Sequence, residues 1–303
     1  MSLQPLNYLR AATEELRRQW IPAMTRLHPE DARICDEVLA EAAAAPKFLL
    51  PKGGRIFNDK LRGLPDDLKL PYPSIVIEYE ASDAKDGLVE AAFGAENSAS
   101  APKRIVLAQE VEGWIHVHSL VQLRTDDRTF WIMQPYAAAI RKVEDSQATP
   151  ELPDLKVGTV IDGLEVITFP TGNIAPERIG PDWRRNAYCD LMDECSATLE
   201  LVEALSCINV THEALPARKP NKNALKRGAL PFDEYRVLVI KEHERSATTR
   251  LDPNSTHRSP REHLRRGHIR RLPDGRKVWV NPTIVNAGTS GKITTTYDVR
   301  RTA

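Results

Sequence analysis

Over the first fifty residues the apolar positions return at helical steps. Leu9, Leu16, Trp20 and Met24 share one stripe, and His28-Pro29-Glu30-Asp31 opens a second helix that runs into the alanines before Pro46. Residues 7–48 are therefore expected to be helical. A segment punctuated by Pro51, Gly53, Gly54, Gly63, Pro65, Pro71 and Pro73 follows, and beyond it the period shortens from helix to strand. Ser74–Tyr79, Arg104–Ala108, Gly113–His118 and Arg128–Met133 are short, β-branched and aromatic, and turn or charged residues separate them. Lys156–Phe169 reads as a hairpin, because Asp162-Gly163 sits between two β-branched runs and supplies the positive φ that a tight turn needs. After an N-cap at Pro181-Asp182, Tyr188, Leu191, Met192, Cys195, Leu199, Val202 and Leu205 mark one long amphipathic helix, whose stripe is assigned to core packing and to no chemistry.

The last ninety residues change character again. Pro216, Pro220 and Pro231 break a basic stretch, and Tyr235–Lys241 reads as a buried strand. Residues 245–262 read as a loop. His268–Leu272 and Lys277–Asn281 flank a turn at Pro273-Asp274-Gly275, and Ile293–Tyr297 offers a last strand. The expected class is α+β: N-terminal helices, a largely antiparallel sheet, one long amphipathic helix and a basic C-terminal β-hairpin. Three regions are expected, a helical one over 1–50, an acidic α+β core over 51–212 and a basic β-rich one over 213–303.

Charge sharpens that division. The 303 residues carry 42 Lys+Arg and 42 Asp+Glu, which hides a split. Residues 213–303 hold 20 basic against 9 acidic side chains, a net of +11, so residues 1–212 carry −11. Between Asn254 and Lys277 there are 8 Arg or Lys and 2 acids, with His257, His263 and His268 among them. Arginine at this density suits phosphate, and it suits carboxylate equally. Nothing in the chain is as long as an apolar membrane span, and the N-terminus has neither the basic flank nor the apolar core of a secretory signal. Cys35, Cys189, Cys195 and Cys207 form no CxxC pair, so they are expected as reduced thiols in a cytoplasm.

Three segments carry a resemblance. They are Leu70–Tyr79, Asn223–Tyr235, and His263-Leu264-Arg265-Arg266-Gly267-His268 leading to Trp279-Val280-Asn281-Pro282. In this order they resemble a loose group of uncharacterised bacteriophage, prophage and plasmid proteins, which share an H-x-R-R-G-H…W-V-x-P pattern near the C-terminus. The resemblance implies a phage or mobile-element setting and no particular activity.

The first functional expectation is a non-enzymatic, nucleic-acid-associated protein that needs no cofactor. It holds a DNA or RNA backbone through Arg218, Lys222, Lys226, Arg227, Arg261, Arg265, Arg266 and Arg270, with Trp279 available to stack on a base, although a hairpin tryptophan more often packs inward. Contact with about 6 phosphates makes such binding fall by roughly 10³ between low and moderate salt. The same charge split also fits a basic tail docked on its own acidic two-thirds. A second expectation is a protein module that redirects a host bacterial enzyme, with Asp31, Asp36, Glu37, Glu41, Asp66 and Asp67 imitating nucleic acid. A third is a metal-dependent nuclease. Alternation on a strand puts Trp114, His116 and His118 on one face, where two imidazoles can share a metal, although a polar pair on a half-exposed strand explains them as well. His263 and His268 beside the arginines suit phosphodiester cleavage or plain hairpin packing. Pro65-Asp66 with Asp83-Ala84-Lys85 matches a nuclease core only as a bare pattern, since the second part reads as a turn. No P-loop, GxGxxG, GxSxG or HExxH occurs.

Overall fold

The computed structural model describes residues 4–56, 68–81, 101–124, 128–143, 159–161, 163–172, 183–217, 221, 226, 229–240, 263–265, 268–280, 283–285 and 300–301. Helices α1 (Tyr8–Glu15), α2 (Ile21–Leu27), α3 (Pro29–Ala44) and α4 (Trp183–Leu205) pack with an eleven-stranded sheet. Its strands are β1 (Lys47–Leu49), β2 (Ser74–Glu80), β3 (Lys103–Val111), β4 (Trp114–Arg124), β5 (Thr129–Met133), β6 (Tyr136–Lys142), β7 (Thr159–Ile161), β8 (Leu164–Pro170), β9 (Val210–Leu215), β10 (Tyr235–Ile240) and, from the far end of the chain, Arg300–Arg301. The α+β class expected from the pattern is the class observed.

From β2 to β8 the sheet is an antiparallel meander in which hairpin turns set the register. Glu112 (φ 51) and Gly113 (φ 82) form a two-residue loop with both residues left-handed, so Val111 pairs with Trp114 and the β3–β4 ladder follows. Gly163 (φ 85) does the same between β7 and β8, at the turn the sequence marked. The parallel part was not foreseen. β1 lies between β2 and β10, parallel to both, which brings residues 47–49 and 235–236 together across the whole chain. β9 pairs with the other side of β10.

Period-two alternation sends the strands' side chains to two cores. One face presents Phe48, Ile75, Ile77, Tyr79, Val106, Ala108, Ile115 and Val117 to α4. The opposite face presents Val76, Ile105, Leu107, Leu120 and Trp131 to α1 and α3. β6 joins the sheet although Ala137–Ala139 have poor strand propensity, and Ala138 sits in the core beneath α4, where a small side chain admits the helix closely. Two small sheets complete the fold: β11 (His263–Arg265) with β14 (Thr283–Val285), and β12 (His268–Arg271) with β13 (Lys277–Val280). With these labels Arg300–Arg301 is β15, parallel to β10. The expected helix cap at Pro181-Asp182, the loop at 245–262 and the strand at Ile293–Tyr297 lie outside the described residues.

Candidate functional site

The β12–β13 hairpin is a described part of the basic region expected to carry function. Gly275 (φ 83) closes its turn, and Asp274 accepts hydrogen bonds from the backbone N–H and the Nε of Arg276. The register pairs Arg270 with Val278 and Arg271 with Lys277. Arg270 and Arg271 are both exposed on β12.

The hairpin's inner strand is bolted to the end of α4. Lys277 Nζ lies 3.0 and 2.9 Å from the two carboxylate oxygens of Glu203, and the two side chains are 5% and 6% exposed. Just past the helix, Ile208 N–H donates to the Lys277 carbonyl at 2.9 Å. Asn209 brackets the Trp279 backbone, its Nδ2 donating to the carbonyl and its Oδ1 accepting from the N–H, both at 2.8 Å. A side-chain amide carries a donor and an acceptor on separate atoms, so it can satisfy both partners of a strand residue at once. Trp279 itself is buried with Cys207 and Ile240. The base-stacking role offered for Trp279 is therefore corrected: its ring fills the joint between hairpin and helix.

Lys226 is exposed on a single helical residue, and Arg265 is described as part of β11. Arg218, Lys222, Arg227, Arg261 and Arg266 lie outside the described residues, as do Asp66, Asp67, Asp83 and Lys85. Of the acidic side, Asp31 is buried, Asp36 pairs with Arg17 at 2.9 Å, and Glu37 pairs with Arg33. Glu41 accepts from Ser74 Oγ at 2.7 Å.

What the sequence reading missed is the chemistry of α4. Glu194, Glu200 and Glu203 are all buried on it, and each draws in a different part of the chain. Glu194 accepts from Arg104 Nη1 (2.8 Å) and Ser119 Oγ (3.0 Å), which ties the helix to β3 and β4. Burial raises its pKa, and Arg104 works in the opposite direction. Glu200 accepts from Arg55 Nη1 at 3.3 Å and from the Ile56 N–H, which fastens the segment after β1. Glu203 holds the hairpin. The spacing of these acids does not reveal their burial, because it comes from the distant pieces of chain that each of them binds. Another buried carboxylate, Glu78 on β2, accepts from the N–H groups of Tyr8 (2.9 Å) and Leu9 (2.8 Å) and from Tyr235 Oη (2.7 Å). It caps α1, whose own N-cap residue Asn7 makes no side-chain cap bond. Burial pushes the Glu78 carboxyl up to about 7 against the pull of these donors.

His116 and His118 do share a strand face, as alternation required, and the Phe169 ring lies 5.4 and 6.4 Å from them. Burial pushes the His118 imidazole down to about 4 and lowers His116. Among the described residues no three His, Cys, Asp or Glu side chains gather around a possible metal position. Cys35, Cys195 and Cys207 are free and buried.

Residues 210–287 match the AcrVA2-like family, described as the Anti-CRISPR type V subtype A2 family. That span covers 78 of the 303 residues, and it takes in β9, β10 and both small hairpin sheets. This is a likeness to a phage-type family over about a quarter of the chain. No curated protein and no solved structure matches. Among the described residues no helix is long and apolar enough to cross a membrane.

Proposed function

We propose that the protein is a phage-borne antagonist of a type V CRISPR system, acting in the host bacterial cell by binding a defence component with its C-terminal segment. The observation that carries this reading is where the family likeness falls. It coincides with the edge of the sheet, β9 and β10, and with the hairpin that Glu203 and Asn209 hold rigidly to α4. A rigid hairpin presenting exposed arginines loses little conformational entropy on binding. Catalysis is not part of the proposal.

A second reading is favoured by one specific feature, the exposure of Arg270, Arg271 and Lys226. On that reading these side chains, with Arg218, Lys222, Arg227, Arg261, Arg265 and Arg266, hold a nucleic acid such as an effector's guide RNA. The two separate in a single experiment. The full chain is tested for co-purification with a type V effector, with guide RNA present, absent, or digested by nuclease. Retention without RNA supports the protein contact, and retention only with RNA supports the second reading. No association in any arm refutes both. Under the second reading, Arg270→Ala with Arg271→Ala should lower the salt slope of binding by about 2.

A further inference from the structure

On the α4 side of the sheet, at its β9 edge, three half-buried polar side chains meet around Phe48. Arg236 on β10 and His212 on β9 lie diagonally across the ladder, since Arg236 pairs with Ala214 and His212 with Leu238. Tyr72 reaches them from the bend before β2. The Arg236 guanidinium stands 5.0 Å from the Tyr72 ring centre. Arg236 Nη1 is 3.3 Å from His212 Nδ1, and Tyr72 Oη is 3.4 Å from His212 Nε2. Phe48 meets the imidazole edge-on at 5.8 Å.

The donor arithmetic of this group is one-sided. A guanidinium can only donate, so the ring nitrogen facing it must be the unprotonated one. Burial and the Arg236 charge both lower the His212 pKa, so the ring is neutral and its proton lies on Nε2. That N–H donates to Tyr72 Oη, which leaves the tyrosine's own proton without an acceptor inside the cluster. Arg236 likewise keeps most of its five N–H groups. The neighbouring carboxylates are directed elsewhere: Glu213 points to the other face of β9 by alternation, and Asp233 pairs with Lys47 at 3.5 Å. Two sets of donors with one formal positive charge thus flank a single imidazole, and among the described residues no carboxylate is paired with either.

We propose that Tyr72, His212 and Arg236 form a binding site for a single carboxylate group. A planar fork facing two coplanar oxygens is the arrangement arginine favours with carboxylate, and stacking on Tyr72 holds the guanidinium in position for it. The Tyr72 hydroxyl supplies a further donor, and His212 orients both. One charge on the site matches one on the ligand. Two of the three residues fall in the span of family likeness, yet the site is testable without any defence component.

The test is an NMR titration of the full chain with sodium acetate at constant ionic strength, following the His212 ring signals. A saturable shift is expected. Tyr72→Phe, which keeps the ring and removes one oxygen, should weaken it by at least about tenfold, the worth of one hydrogen bond to a charged group. Arg236→Met should abolish it. Absence of saturation by acetate, or equal affinity in the wild type and Tyr72→Phe, would each overturn the assignment.

Discussion

Breaking the Lys277–Glu203 pair isolates what holds the C-terminal hairpin. Both side chains are almost wholly buried and the contact is bidentate, at 3.0 and 2.9 Å. Glu203→Leu strands an ammonium in an apolar joint, and Lys277→Met strands a carboxylate. Each should cost about 3–5 kcal/mol, most of it the desolvation of the orphaned charge. The double variant removes both charges and should recover to within about 1 kcal/mol of the wild type or exceed it, because Leu and Met extend the cluster of Cys207, Ile240 and Trp279. That small cluster and the Asn209 bracket are the other main ties of the hairpin to α4. The loss should therefore appear first as local opening, with amide exchange in β12 and β13 faster by on the order of a hundredfold in the single variants. Urea unfolding and hydrogen exchange on all four proteins complete the cycle. The reasoning fails if the double variant is as unstable as the two singles combined, or if exchange accelerates evenly through the sheet.

Glu78 makes stability depend on pH. Its folded pKa, about 7, exceeds the ordinary carboxylate value, so the fold binds the proton more tightly than the unfolded chain does. The contribution is present in full below about pH 4.5 and is lost as pH rises through 7, by about 3 kcal/mol. Unfolding free energies measured between pH 5 and 8 should fall with this slope, and Glu78→Gln should flatten it whatever it does to absolute stability. Glu112 holds a left-handed conformation in the β3–β4 turn that asparagine adopts more readily. Glu112→Asn should therefore raise the urea midpoint, by up to about 1 kcal/mol in free energy, and an unchanged or lower midpoint would count against the turn assignment. The His118 ring should stay neutral in an NMR titration down to pH 5, because burial holds its pKa near 4, and a midpoint near 6.5 would show that the strand face is open to water.

The hairpins were legible because their turns are chemically marked: Asp162-Gly163 and Pro273-Asp274-Gly275 announce the positive-φ positions that the structure places there. The N-terminal helices were legible from spacing alone, and so was the shared face of His116 and His118. Among the strands not foreseen are β1, β6 and β9. β1 has three residues, β6 is mostly alanine, and β9 carries histidine and glutamate at an edge, so their strand character comes from the neighbours they pair with. The place of Trp279 stayed open between base stacking and inward packing for a related reason. A tryptophan in a hairpin has an inner and an outer face, and the choice was made by Asn209, seventy residues away.

Local physics, written in side-chain order and period, determined this protein's helices, the marked turns of its hairpins and its α+β class, since each depends on residues a few positions apart. Tertiary structure alone decided which charges are spent inside the molecule and which face outward. Glu194, Glu200 and Glu203 read as solvent-facing acids until the chain folds over α4, and Tyr72, His212 and Arg236 are unrelated until β9 and β10 meet. The energy of a charge depends on what surrounds it in space, and spacing along the chain does not carry that information.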